Sequence, residues 1–237
     1  MMKRALLFLG LAACSSNETT SGGTGSSSGS ASVDGGPTPT PATCDATKLH
    51  TGLVAPQTGV SADAFDCAIL TATAKYAEPD PMIVKAIIYV ESRFDRTSVA
   101  CPNLPCGMPS GWTNDESRCY GLMQIVPACN GISKSVLLPN GHPNLTKDPA
   151  SASYAGSVFN PDANIDVGVA GLAGNRDEVV KQFPGCTTDQ YTMMAIGNYN
   201  SHGSTKSCTQ INADYAKIVL DAYAQYSKAA GYPAHAY

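Results

Sequence analysis

The stretch Asp80-Pro81-Met82-Ile83-Val84-Lys85-Ala86-Ile87-Ile88-Tyr89-Val90-Glu91-Ser92 is the most apolar helical run in the chain, and its reading decides the fold. Asp80 is a good N-cap, and Pro81 occupies the first helical position, where a missing N–H costs nothing. Val84, Ile87, Ile88 and Glu91 fall at i, i+3, i+4 and i+7, so the Glu91 carboxyl continues an apolar stripe. Ile83, Ala86, Val90 and Phe94 cover most of the adjacent face. Glu91 therefore stands where a leucine is expected. Burial and the partial negative charge of the helix C-terminus both favour the neutral acid, so the spacing predicts a carboxyl titrating above the ordinary glutamate range. An acid still protonated near neutral pH suits general acid catalysis. Position alone also allows a solvated glutamate at a helix end, so the remaining sequence has to discriminate.

The N-terminus opens Met1-Met2-Lys3-Arg4, followed by nine small or apolar residues before Cys14. That run is shorter than the ~20 residues needed to span a bilayer, but it has the charged and apolar regions of a secretory signal. Leu11-Ala12-Ala13-Cys14 resembles a bacterial lipobox. It implies a signal over residues 1–13 and a lipid-bearing Cys14 that holds the protein to a membrane, several acyl chains anchoring far better than one. Ser15 after the cysteine implies sorting to the outer membrane, facing the periplasm. Residues 14–43 form a linker of mainly Ser, Thr, Gly, Pro and Ala without an aromatic residue, which is expected to be disordered and to reach roughly 100 Å when extended.

Residues 44–237 are sized for one domain with a real core. Setting Cys14 aside leaves Cys44, Cys67, Cys101, Cys106, Cys119, Cys129, Cys186 and Cys208. An even number in an exported chain reads as disulfides, although eight cysteines allow 105 pairings. Sequence proximity favours Cys101–Cys106, Cys119–Cys129 and Cys186–Cys208, which leaves Cys44–Cys67. No CxxC pair or Cys/His cluster has zinc-ligand spacing, so neither a metal nor another cofactor is expected. The net charge of −4 falls to −6 when the two cations Lys3 and Arg4 leave with the signal, and no basic patch is interleaved with aromatics, which argues against nucleic acid as a partner. With 14% charged residues, a substrate would be gripped by hydrogen bonds and apolar contact.

Helices are expected from Ser61, from Pro81, from the Asn160-Pro161 cap pair, over 189–199 and over 213–228. Ile165, Val169 and Leu172 share one face of the third of these; Tyr215, Ile218, Val219 and Ala222 share one stripe of the last. Residues 93–120 are too rich in Pro, Gly and Cys for a helix, and the apolar run Gly121-Leu122-Met123-Gln124-Ile125-Val126 stops at Pro127. No run alternates convincingly as a strand. The fold class is mainly α, with a cysteine-rich loop or small hairpin between residues 93 and 120.

Glu91-Ser92-Arg93-Phe94, Tyr120-Gly121-Leu122-Met123-Gln124-Ile125-Val126-Pro127, Asn160-Pro161 with Asn164-Ile165 and Gly168, Asn198-Tyr199-Asn200, and Tyr215 together resemble the ordered motifs of the soluble lytic transglycosylase and goose-type lysozyme superfamily. Each motif alone is weak; five in order are specific. The resemblance implies a lysozyme-like helical domain that binds peptidoglycan glycan strands and cleaves β-1,4 bonds between N-acetylmuramic acid and N-acetylglucosamine without a cofactor. It makes Glu91 the catalytic acid, places Met123 and Gln124 beside it in the cleft, sets Tyr199 near its carboxyl, and puts Asn200 and Tyr215 on the substrate side. Ser92, Leu122, Asn164, Ile165, Gly121 and Gly168 carry structural readings: internal hydrogen bonds, core packing and backbone requirements. A monomer is expected.

The chain departs from the transglycosylase pattern in the long loop before Cys119-Tyr120 and around Asn198, Ser201 and His202. Gly111-Trp112-Thr113-Asn114-Asp115 is closer to the goose-type lysozymes, where an aspartate in this loop directs water, so Asp115 is a possible second carboxylate. His202 reads as a solvated helix-end residue. Inverting hydrolysis needs a second carboxylate roughly 6.5–9.5 Å from the acid and retaining hydrolysis a nucleophile at about 5–5.5 Å, whereas a transglycosylase needs neither. Transglycosylation is the leading expectation. Hydrolysis of peptidoglycan or chitin with Asp115 is the alternative, and a non-catalytic glycan-binding lipoprotein the rival of another class.

Overall fold

A computed structural model describes residues 44–78, 80–101, 109–128, 133–200, 207–210 and 213–233. The signal, Cys14 and the linker lie outside these residues, as do Cys106, Cys129 and His202. Among the described residues five α-helices carry the fold: α1 (Asp66–Lys75), α2 (Pro81–Ser92), α3 (Pro161–Gln182), α4 (Thr188–Asn200) and α5 (Ala213–Ala230). Between α2 and α3, the strands β1 (Val99–Ala100) and β2 (Cys119–Tyr120) pair antiparallel, Val99 opposite Tyr120. The domain is thus a mainly helical, lysozyme-like one with a small hairpin where the breaker-rich segment lies.

The central helix is α2, which packs mainly on α5, while α3 packs on α4 and α1. Its start is built as the sequence implies, with Asp80 Oδ1 accepting the Met82 N–H at 3.0 Å and Pro81 following it. Asp80 Oδ2 also accepts from the Tyr223 hydroxyl of α5 at 2.9 Å, so one side chain caps the helix and ties it to its neighbour. Every residue from Met82 to Ile88 is buried. Among them Lys85 is 0% exposed, and its Nζ lies 2.6 Å from Leu49 O, 2.6 Å from Asp63 Oδ1 and 2.8 Å from Asp66 Oδ1. A buried cation is tolerable only with such compensation.

Two helical expectations need correction. The first helix starts at Asp66, not Ser61, and Phe65 at its cap position makes no side-chain bond. Asp63 accepts from the Thr51 N–H at 2.9 Å and the Gly52 N–H at 2.7 Å as well as from Lys85, and residues 62–65 turn to serve that knot instead of winding into the helix. In α5, Tyr215, Val219 and Ala222 are buried as expected, but Ile218 is 39% exposed; Tyr223 and Tyr226 complete the inner face. Tyr226 meets Tyr89 and Phe94 edge-on at 5.3 and 5.8 Å, which seats α5 against the C-terminal end of α2.

Disulfides Cys44–Cys67 and Cys186–Cys208 form as expected. Cys101 pairs with Cys119, not with Cys106. The reason is the hairpin: Ala100 stands opposite Cys119, which brings the Cys101 and Cys119 Cα atoms to 5.4 Å. This also excludes Cys119–Cys129. Among the described residues no helix is long and apolar enough to cross a membrane.

Candidate active site

Glu91 lies in the last turn of α2, and the helix stops two residues later by turning left-handed at Arg93 (φ 55°) and again at Phe94 (φ 62°). Two consecutive non-glycine residues in that region cost backbone energy, and such strain gathers at functional sites. Phe94, wholly buried against Tyr226, holds the bend in place. Arg93 Nη1 donates to Tyr89 O at 2.5 Å and its guanidinium lies 4.2 Å from the Tyr89 ring centroid.

The Glu91 carboxyl accepts a hydrogen bond from the Tyr215 hydroxyl of α5. The side chain is only partly buried by exposure, yet it sits deep enough among protein atoms for desolvation to dominate. Burial pushes its carboxyl up to about 7, against smaller opposing effects of the Tyr215 hydrogen bond and the Arg93 charge. Burial and then the neighbouring Glu91 hold the Tyr215 and Tyr199 hydroxyls well above the ordinary tyrosine range, so both stay neutral donors. The sequence reading of Glu91 foresaw the direction of this shift; Arg93 was missed, although it lies inside the same motif.

The opposite wall is the turn over residues 121–124, closed by a mutual bridge between Tyr120 and Ile125. Asn164 of α3 grips it from beneath: its Oδ1 accepts the Met123 N–H at 2.8 Å, and its Nδ2 donates to Tyr120 O and Val158 O, each at 2.8 Å. Gly121 (φ +71°) is required there, since a Cβ would run into the Asn164 amide and lie 2.7 Å from Val158 O. Met123 lies over Gly168, where an added Cβ would stand 2.7 Å from the Met123 Cβ. The internal roles read for Asn164, Gly121 and Gly168 are what the structure shows, and Ser92 likewise bonds inward to Ile88 O at 3.0 Å.

Tyr199 links the two walls. Its hydroxyl donates to Met123 O at 2.8 Å, and it lies close enough to Glu91 to feel that charge. Gln124 holds a left-handed conformation (φ 47°), donates from Nε2 to Gly121 O at 2.8 Å and keeps a buried Oε1 with no hydrogen-bond partner. Asn200, half-buried at the end of α4, stands outside this bonded set. The structure thus brings Glu91, Tyr215, Tyr199, Met123 and Gln124 into one connected group.

Asp115 is not brought into it. Its side chain is 85% exposed and its ion-pair partner is Arg118 at 3.7 Å. A second elevated carboxyl exists in Glu78, pushed up to about 7 by burial, with Arg176 opposing at 3.3 Å. It precedes the first turn of α2, however, and the rise of ~1.5 Å per residue puts it at least about 15 Å along the helix from Glu91. His50, Asp63 and Asp66 have metal-ligand spacing among the described residues, but the Lys85 ammonium already lies against both carboxylates. That cluster carries its own cation.

An acid titrating near neutral pH, bonded to the neutral Tyr215 and close to the neutral Tyr199, is equipped to protonate a leaving oxygen and then to take a proton back. Residues 68–218, most of the described domain, match the family model described as the transglycosylase SLT domain. Comparison with curated proteins gives no match.

Proposed function

The chain belongs to the transglycosylase SLT domain family, whose members are typically peptidoglycan lytic transglycosylases, and we propose that it acts as one, with Glu91 as its single catalytic carboxyl. The observation that carries this reading is the desolvated Glu91, titrating at about 7 and bonded to Tyr215, with no second carboxylate bonded to it among the described residues. In the proposed reaction Glu91 gives its proton to the oxygen bridging N-acetylmuramic acid and N-acetylglucosamine. The C1–O bond breaks, and its electron pair leaves with the protonated hydroxyl. The Glu91 carboxylate, now steadied by the Tyr215 hydrogen bond, removes the proton of the muramyl 6-hydroxyl as that oxygen closes on C1. A 1,6-anhydro end forms, no water is consumed, and Glu91 ends as it began.

Tyr199 serves this cycle by fixing the 121–124 turn to the Glu91 side, and Gln124 in that turn is the proposed substrate-side residue next to Met123. Asn200 contributes on the substrate side. Hydrolysis directed by Asp115 would need that exposed side chain to leave Arg118 and reach the Glu91 pocket. Analysis of digested peptidoglycan by mass spectrometry tests the proposal, since anhydro ends support it and free reducing ends oppose it. The Cys14 lipobox, Ser15 after it and the spacer that follows support placement as a lipid-anchored protein on the periplasmic side of the outer membrane, working on the adjacent wall.

A further inference from the structure

We propose that Trp112 is a sugar-contacting platform, a glycan subsite separate from the Glu91 pocket; it rests on the reading of the chain as a glycan-strand enzyme. The chain has a single tryptophan. The large rings of Phe94, Tyr120, Phe159 and Tyr226 are buried to within 2%, whereas Trp112 is only half-buried, in the loop of residues 109–120. This ring is nevertheless fixed with care. The His142 ring stacks on it at 6.2 Å between centroids and 24° between planes. His142 Nδ1 in turn lies 2.6 Å from Glu116 Oε1, while Glu116 Oε2 accepts the Thr113 N–H at 2.6 Å. Thr113 Oγ1 accepts the Glu116 N–H at 3.3 Å, closing a reciprocal cap around residues 113–116. The Cys101–Cys119 disulfide fastens the far end of the loop.

These contacts fix the orientation of the indole through the His142 ring and the Glu116 carboxylate behind it. An indole pinned on one face and still accessible presents a flat apolar surface to the axial C–H groups of a pyranose ring, with the polar group of the indole at its edge. Asn114 and Asp115, exposed beside it, supply polar atoms for hydroxyl and acetamido groups. The loop ends in β2 and leads directly into the turn bearing Met123 and Gln124, so a strand held at Trp112 belongs to the same lobe as the cleft wall. The ligand class is a β-1,4-linked N-acetylhexosamine chain.

Because Trp112 is the sole tryptophan, its emission reports the platform directly. The full mature chain carrying Glu91→Gln would be titrated with N-acetylchitotetraose and with soluble uncrosslinked peptidoglycan strands, exciting where tyrosine does not absorb. A saturable change in intensity with a blue shift is expected for either glycan. Trp112→Phe and His142→Ala should each raise KM on peptidoglycan about threefold to tenfold, with a much smaller change in kcat and a far-ultraviolet dichroism spectrum like the parent's. Emission that stays constant while the Glu91→Gln protein still sediments with peptidoglycan overturns the platform and leaves the catalytic reading standing. Failure of that protein to bind either glycan, with no fragment released by the wild type, overturns both.

Discussion

Replacing Glu91 by glutamine is expected to make the folded protein more stable in a pH-dependent way. The carboxyl titrates at about 7 in the folded chain against an ordinary 4.5. Because folding raises this pKa, ionisation is penalised in the native state: the penalty is absent below pH 4.5, grows between 4.5 and 7, and is complete above 7. At ~1.4 kcal/mol for each pKa unit separating the two states, it reaches on the order of 3 kcal/mol. Glutamine keeps the shape and can still accept from Tyr215, so most of that penalty should vanish, less the cost of burying an amide. Denaturant unfolding of both proteins at pH 8 and pH 4, disulfides intact, measures it. Glu78 also titrates near 7, but it is present in both proteins and cancels. The expected result is a glutamine variant more stable by about 2–3 kcal/mol at pH 8 and indistinguishable from the parent at pH 4. A variant less stable at pH 8, or a gain of equal size at both pH values, would refute the claim that Glu91 is held neutral by burial.

Tyr215→Phe removes a hydrogen bond that favours the charged carboxyl, so the activity limb assigned to Glu91 should move upward by about one pH unit, as for a bond to a charged group worth ~1.5 kcal/mol; an unmoved limb in kcat/KM against pH would count against the contact. Gly168→Ala forces the Met123 side chain off its seat and should cost about 1–3 kcal/mol in thermal or denaturant unfolding while lowering kcat, whereas a neutral outcome would mean that α3 and the 121–124 turn are not packed as described. Cys14→Ala should shift the protein from the membrane fraction to the soluble periplasm or leave it unprocessed, and an unchanged fractionation would remove the lipid anchor.

What could be read from the sequence follows from range. A cap is a matter of three or four consecutive residues, so Asp80-Pro81 and Asn160-Pro161 located the starts of α2 and α3 correctly. The apolar stripe located Glu91 and the direction of its pKa for the same reason. Ser61 misled because Asp63, two residues on, answers to Lys85 and the 51–52 backbone, partners that no local pattern reveals. The Cys101–Cys119 bridge depends on a hairpin of two-residue strands, too short to show alternation. Arg93 and Phe94 in left-handed conformations, and the three bonds by which Asn164 holds the 121–124 turn, arise only once α2, α3 and α5 have packed. The Glu116–His142–Trp112 chain likewise joins segments separated by the 121–136 region.

The most direct test of the central claim is the product spectrum of purified peptidoglycan digested by the wild type and by Glu91→Gln. The wild type is expected to release fragments ending in 1,6-anhydro-N-acetylmuramic acid, and the variant to be slowed by at least ~10²-fold. Free reducing ends from the wild type would contradict transglycosylation, and digestion by Glu91→Gln at the wild-type rate would contradict the assignment of Glu91 itself.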